Sequence, residues 1–158
     1  MKNNIAVIAG TFDPVTVGHM DIVRRAASLF DTIYVGIFDN AKKATMFDSY
    51  VRVSAMKKAC EGLTNVKVEC ATDTTLADFA KSHGASAIVK GIRNGTDADY
   101  EISLSQINAE ISGIETVMLA ASPALSFISS TFVREMIKYG QPYEKYIPDG
   151  VDALLKQH

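Results

Sequence analysis

Apolar residues along the chain gather in five short continuous runs, Ile5 to Ala9, Ile33 to Phe38, Val66 to Cys70, Ala85 to Val89 and Thr116 to Ala120. Runs without polar alternation predict strands covered on both faces. Between the runs the apolar positions recur at helical spacing. Met20, Val23, Ala27 and Phe30 share one face, with Arg24, Arg25 and Ser28 mostly off it, and Val51, Ala55, Met56 and Ala59 form a second stripe. The segment 75–84 stops at Gly84, and 99–113 sets Ile107 and Ile111 four apart before Gly113, a residue suited to the end of a helix. Ser129, Ser130 and Thr131 open a helix that Gly140 closes, and a short last helix starts near Asp149, after Pro148. Strand and helix alternate throughout, and parallel crossovers are almost always right-handed. The predicted class is therefore α/β: a single-domain, doubly wound parallel sheet of about five strands flanked by helices, spanning 1–158.

In such a sheet ligands bind beyond the carboxyl ends of the strands. The polar residues collect there. The segments following the five runs are 10–19, 39–47, 71–76, 90–94 and 122–131, and they or the helix they open carry Lys42, Lys43, Lys90, Arg93 and Arg134. Each cation alone reads as a solvated side chain, Ser129 to Thr131 alone as helix caps, and a lone His19 as a structural residue. Their shared position on one rim predicts a local pocket for anions.

Length and charge narrow the classes. The chain has 158 residues, 47% of them hydrophobic, and a formal net charge of -2, which argues against a broad surface that tracks nucleic acid. Cys60 and Cys70, both expected in apolar surroundings, fit neither a disulfide framework nor a four-ligand zinc site. No stretch approaches the roughly 18 apolar residues that span a bilayer. These features predict a cytoplasmic protein with no membrane partner.

The stretch "AGTFDPVTVGH", residues 9–19, is the most pointed piece of chemistry. Gly10 permits a sharp exit from the first strand, Pro14 stiffens the loop, and Gly18 leaves a helix entrance open, so that first-turn N–H groups face a phosphate. His19, in that first turn, is placed to donate to a phosphate oxygen as charge builds. The chain has no G-x-x-x-x-G-K-[ST] loop and no G-x-G-x-x-G. It has no nucleophile elbow and no histidine–carboxylate cluster for a protein-held metal. A site of donors and cations remains, with no evident general base.

"GTFDPVTVGH" and "ISSTFVRE" resemble the two signatures of the nucleotidyltransferases that carry a T/H-x-G-H motif. With "KKATMF", "KGIRN", "DADYE", "SFISST" and "YIPDGV", the chain is similar nearly end to end to the phosphopantetheine adenylyltransferases of bacteria. The resemblance implies a Rossmann-like nucleotidyltransferase fold and transfer of the adenylyl group of ATP to 4′-phosphopantetheine. The products would be dephospho-coenzyme A and pyrophosphate, in coenzyme A biosynthesis. It further implies Mg2+ carried with ATP, coenzyme A or its dephospho form as product-like ligands, and a homohexamer. His19 and Lys43 would be catalytic, with Lys42 an adjacent rival for the phosphate. Thr11, Phe12, His19, Gly91, Ile92, Arg93, Glu101, Leu125, Ser126, Phe127, Ile128, Ser129, Ser130 and Thr131 would bind ATP. Thr11, Lys43, Leu76 and Lys90 would bind the acceptor. Three positions depart from the pattern: Lys90 stands where arginine is usual, Val17 where asparagine is, and Ala9 where proline is. "ISSTFVR" also leans toward adenylyltransferases acting on nicotinamide mononucleotide, which keeps that acceptor as an alternative, beside a noncatalytic nucleotide-binding module.

Overall fold

The computed structural model describes residues 4–39 and 42–158. Asn40 and Ala41, part of the predicted cationic loop, lie outside the described residues, as do residues 1–3. The elements run β1 (Ile5–Gly10), α1 (Val17–Leu29), β2 (Thr32–Asp39), α2 (Ser49–Ala59), β3 (Val66–Thr72), α3 (Leu76–Ser82), β4 (Ala87–Ile92), α4 (Gly95–Ser112), β5 (Glu115–Ala120), α5 (Ser130–Lys138) and α6 (Val151–Leu155). Short 3-10 turns at Pro123–Leu125 and Glu144–Tyr146 interrupt the last loops. All five strands are parallel, in the order β3-β2-β1-β4-β5. The chain thus winds outward from β1 in both directions, and its connections leave a crevice between β1 and β4 at the carboxyl edge.

Alternate residues of the central strands feed two cores. Ala6, Ile8, Val35 and Val89 face α1, α2, α5 and α6, packing on Met20, Val23, Met56, Val133 and Leu155. Val7 and Ile88 face the other way, onto Phe79 and Ala80 of α3. Burial on both faces holds for β1 and β2 and for the first half of β4. It fails for β3 and β5, which form the sheet edges and are mostly half-buried or exposed. Cys70, expected in apolar surroundings, is exposed on edge strand β3, while Cys60 is buried.

Every strand departs from its apolar run by one to three residues at an end, and two of the starting boundaries have a visible cause. The fourth strand runs Ala87–Ile92 rather than from Ala85, because Ala85 and Ser86 are taken up by backbone bonds to Ala80 and Ile5. Helix α4 begins at Gly95 rather than Asp99, because the Asn94 side chain accepts the Asp97 N–H and caps it four residues earlier. None of the 18 residues of α4 is buried, and Tyr100, Ile107 and Ile111 are exposed.

Candidate active site

After β1 the chain leaves the sheet through a loop in which Phe12 has φ of 48°. A non-glycine side chain pays about 1–2 kcal/mol for that left-handed conformation, so its neighbours must enforce it. They do so from several sides. A Cβ on Gly10 would stand 3.0 Å from the Phe12 ring, so glycine is what lets the ring fold back. The buried Asp13 carboxylate accepts the N–H groups of Met46 at 2.8 Å and Phe47 at 2.9 Å. Arg134 donates to the Asp13 carbonyl at 2.8 Å and Ser130 to the Pro14 carbonyl at 2.8 Å, joining the loop to the mouth of α5.

Thr16 caps α1, and the cap is reciprocal: its hydroxyl accepts the His19 N–H at 3.2 Å while its own N–H donates to His19 Nδ1 at 3.0 Å. One first-turn N–H expected to face a ligand is thereby used internally. With Nδ1 an acceptor, the proton of a neutral ring sits on Nε2. Neutrality is enforced, because burial and then the nearby Arg93 charge lower the His19 pKa to about 4. The edge-on Phe12 ring, 4.9 Å between centroids, packs against the imidazole.

Four of the five expected cations, Lys43, Lys90, Arg93 and Arg134, line one cavity, and each meets a polar partner; Lys42 is not in the lining. Lys43 Nζ donates to Thr11 Oγ1 at 3.4 Å. Lys90 lies 3.6 Å from Glu101, whose Oε2 is buried without a hydrogen-bond partner among the described residues. Arg93 grips Asp97 with two bonds, Nε to Oδ2 at 2.9 Å and Nη2 to Oδ1 at 3.3 Å. That grip holds the Asp97 carboxyl below its usual range. Arg134 is 3.9 Å from the Asp13 carboxylate. The cations therefore face carboxylates that the rim argument did not include, and the site is less positive than the cations alone suggest.

These groups line one cavity of about 400 Å³ at the carboxyl ends of β1 and β4. Of the predicted site residues it gathers Thr11, Phe12, His19, Lys43, Lys90, Gly91, Arg93, Glu101, Leu125, Ile128, Ser129, Ser130 and Thr131. It leaves out Leu76, Ile92, Ser126 and Phe127. Leu76 opens α3 and packs on the opposite core, with Tyr34 and Phe38, while Phe127 is exposed and lies edge-on to Phe132. Asp13, Ile22, Ala44 and Asp97 also line the cavity and were not singled out as site residues. The Asn94 cap signal three residues before Asp97 could have placed that carboxylate on the rim. Gly91 has a packing role as well: a Cβ there would stand 2.9 Å from Ile22 of α1.

Among the described residues no group of three or more His, Cys, Asp or Glu side chains could hold a metal ion. No helix among them is long and apolar enough to cross a membrane.

Comparison with known proteins adds to this geometry. A model of the cytidylyltransferase-like family matches residues 7–136. The chain is 37% identical over 159 residues to a phosphopantetheine adenylyltransferase of Streptococcus suis, covering 100% of this chain and 98% of that one. It is 41% identical over 152 residues to the enzyme of the same name from Streptococcus mutans, covering 96% and 92%. Among solved structures, a putative nicotinate-nucleotide adenylyltransferase from Vibrio parahaemolyticus superposes with a TM-score of 0.72 at 21% identity, over 98% of this chain and 93% of that one. At that identity the superposition speaks for the fold.

Proposed function

The chain belongs to the cytidylyltransferase-like family and, within it, with the phosphopantetheine adenylyltransferases, and from that membership we propose that it transfers the adenylyl group of ATP to 4′-phosphopantetheine. The products are dephospho-coenzyme A and pyrophosphate, a step of coenzyme A biosynthesis. The observation that carries the reading is the convergence of His19, Lys43, Lys90, Arg93 and Arg134 on one cavity, which brings two polyanions together without leaving their charges unopposed.

The reaction asks little covalent chemistry of the protein. A phosphate monoester has a second pKa of about 6, so the acceptor arrives at neutral pH with an anionic oxygen and needs no general base. That oxygen attacks the α-phosphorus of ATP, and the bond from the α-phosphorus to the bridging oxygen breaks as pyrophosphate leaves. Positioning and electrostatic stabilisation remain for the enzyme. The neutral His19 ring donates from Nε2 to an oxygen of the reacting phosphate. Lys43, held against Thr11, stands where attacking and leaving groups meet, and Lys90 holds the acceptor phosphate. Arg93, Glu101 and the first turn of α5 hold the nucleotide.

Mg2+ carried with ATP would supply further neutralisation of the triphosphate. Asp13, Asp97 and Glu101, which face Arg134, Arg93 and Lys90, are the carboxylates of the same cavity that such a cation would meet. The uncovered apolar residues of α4 offer a surface for contact between copies, and the homohexamer is part of the proposal through the family resemblance. A cytoplasmic location follows from the proposed pathway.

Pyrophosphate release from ATP, measured with 4′-phosphopantetheine, nicotinamide mononucleotide or glycerol 3-phosphate as acceptor, tests the assignment. Turnover with 4′-phosphopantetheine at least 100-fold above the others is expected, on the scale of a site built to pair its polar groups with one substrate. Preference for nicotinamide mononucleotide, or ATP binding with no turnover, overturns it.

A further inference from the structure

Arg52 is 1% exposed, and its donors are spent beneath the cavity rather than inside it. Nε donates to the Phe47 carbonyl at 3.0 Å, and Nη1 to the Thr11 carbonyl at 2.9 Å and the Phe38 carbonyl at 3.1 Å. Nη2 donates to Asp39 Oδ1 at 2.6 Å. One guanidinium thus ties together the exit of β1, the end of β2 and the residue before the α2 cap. Its planar fork makes this possible, since a lysine offers a single ammonium.

The bond to Thr11 fixes a direction. In a trans peptide the C=O and N–H point to opposite sides. With the Thr11 carbonyl drawn onto Arg52, the Phe12 N–H points away from Arg52, and Thr11 and Phe12 line the cavity while Arg52 does not. That N–H has no hydrogen-bond partner among the described residues, although Phe12 is 6% exposed. An amide with no internal partner beside a cavity is free to donate to a ligand there. Its surroundings suit an anionic acceptor: Lys43 reaches Thr11 Oγ1, and the His19 ring lies against Phe12.

We propose that Arg52 is a positioning residue for adenylyl transfer, turning the Phe12 N–H into the cavity as a fixed donor to a phosphate oxygen and anchoring the Phe47 end of the loop that carries Lys43. The assignment rests on the proposed function of the cavity. A mere staple of the fold would stabilise the protein equally and leave the Phe12 amide indifferent to ligand.

Two measurements decide it. In the 15N-labelled, unsubstituted protein, ATP moves the Phe12 amide proton downfield. In Arg52→Lys, which keeps a charge for Asp39 but not the fork, that shift is lost and kcat falls about 10–100-fold, within the range for a lost or misaimed donor. KM for ATP stays within about 3-fold, as expected where the interaction strengthens in the transition state. An unmoved Phe12 amide in a protein that makes dephospho-coenzyme A overturns the proposal and spares the function, and it does so even if Arg52→Lys fails to fold. An Arg52→Lys protein that is less heat-stable but keeps its kcat and the amide shift assigns Arg52 to the fold alone and also overturns the proposal. Absence of product with every acceptor removes the function and this assignment together.

Discussion

The Thr16 backbone N–H donates to Nδ1 of His19 at 3.0 Å, and that bond decides which ring nitrogen offers a proton to the cavity. It makes His19 a neutral donor with a fixed tautomer, suited to stabilising charge without moving a proton. Replacing His19 with alanine removes the donor and leaves the Thr16 hydroxyl cap in place. Turnover is expected to fall at least 100-fold, the scale of one preorganised donor. The freed Thr16 N–H costs about 1 kcal/mol of stability. Steady-state kinetics and thermal unfolding read the two effects separately, and full turnover in a folded His19→Ala protein would remove the ring from the mechanism.

The low pKa of His19 gives a pH signature in stability rather than in rate. Its pKa is about 4 folded against the ordinary 6.5 of the unfolded chain. Between those values the unfolded state binds the extra proton, so the neutral ring's contribution is complete above pH 6.5 and is lost as pH falls toward 4. Urea unfolding at pH 7.0 and 4.5 is expected to show a smaller loss of stability in His19→Gln than in the parent. Below neutrality kcat/KM follows the acceptor phosphate, with an apparent pKa of about 6. That limb persists in the residual activity of His19→Gln; its disappearance would mean the histidine itself titrates in the working range.

Lys90 presents a point charge 3.6 Å from Glu101, whose Oε2 lacks a hydrogen bond among the described residues. An arginine there has donors for both the carboxylate and an incoming phosphate. Lys90→Arg is expected to lower KM for 4′-phosphopantetheine about 3–10-fold with kcat little changed, the pattern of added uniform binding. A raised KM would show that the pocket is shaped around lysine.

Much of this arrangement was legible in the sequence because it follows from periodicity and punctuation. Five apolar runs alternating with helical stripes fix a parallel sheet, and a parallel sheet fixes the edge at which Thr11, His19, Lys90 and Arg93 meet. What stayed hidden depends on pairing across long separations. Asp13 serves amides 33 and 34 residues away, and neither end signals the other locally. Arg52 left a usable trace: it sits three and four residues before Ala55 and Met56 on the buried stripe of α2, where a charge must find internal partners. Leu76 and Phe127 were placed at the site by resemblance alone, and neither is in the lining of this cavity.

Gly91 joins packing to chemistry. Its missing side chain lets α1 lie directly on β4, since a Cβ would stand 2.9 Å from Ile22 Cγ1 and 3.3 Å from its Cδ1. Ile22 is 7% exposed and lines the cavity one turn beyond His19, so it has little room to yield. Gly91→Ala must therefore push α1 outward or force Ile22 off its rotamer, at about 1–3 kcal/mol for overpacking. The first response moves the first turn of α1 relative to Lys90 and Arg93 and the second reshapes the cavity wall that Ile22 forms, and a small misplacement is costly where reacting groups are held in line. Gly91→Ala is expected to lose stability and at least about 10-fold in kcat, while the double variant Gly91→Ala with Ile22→Val regains part of both by relieving the contact. If trimming Ile22 restores stability but none of the kcat, the glycine matters through direct approach of the nucleotide to its backbone, and the seating of α1 is not what limits turnover.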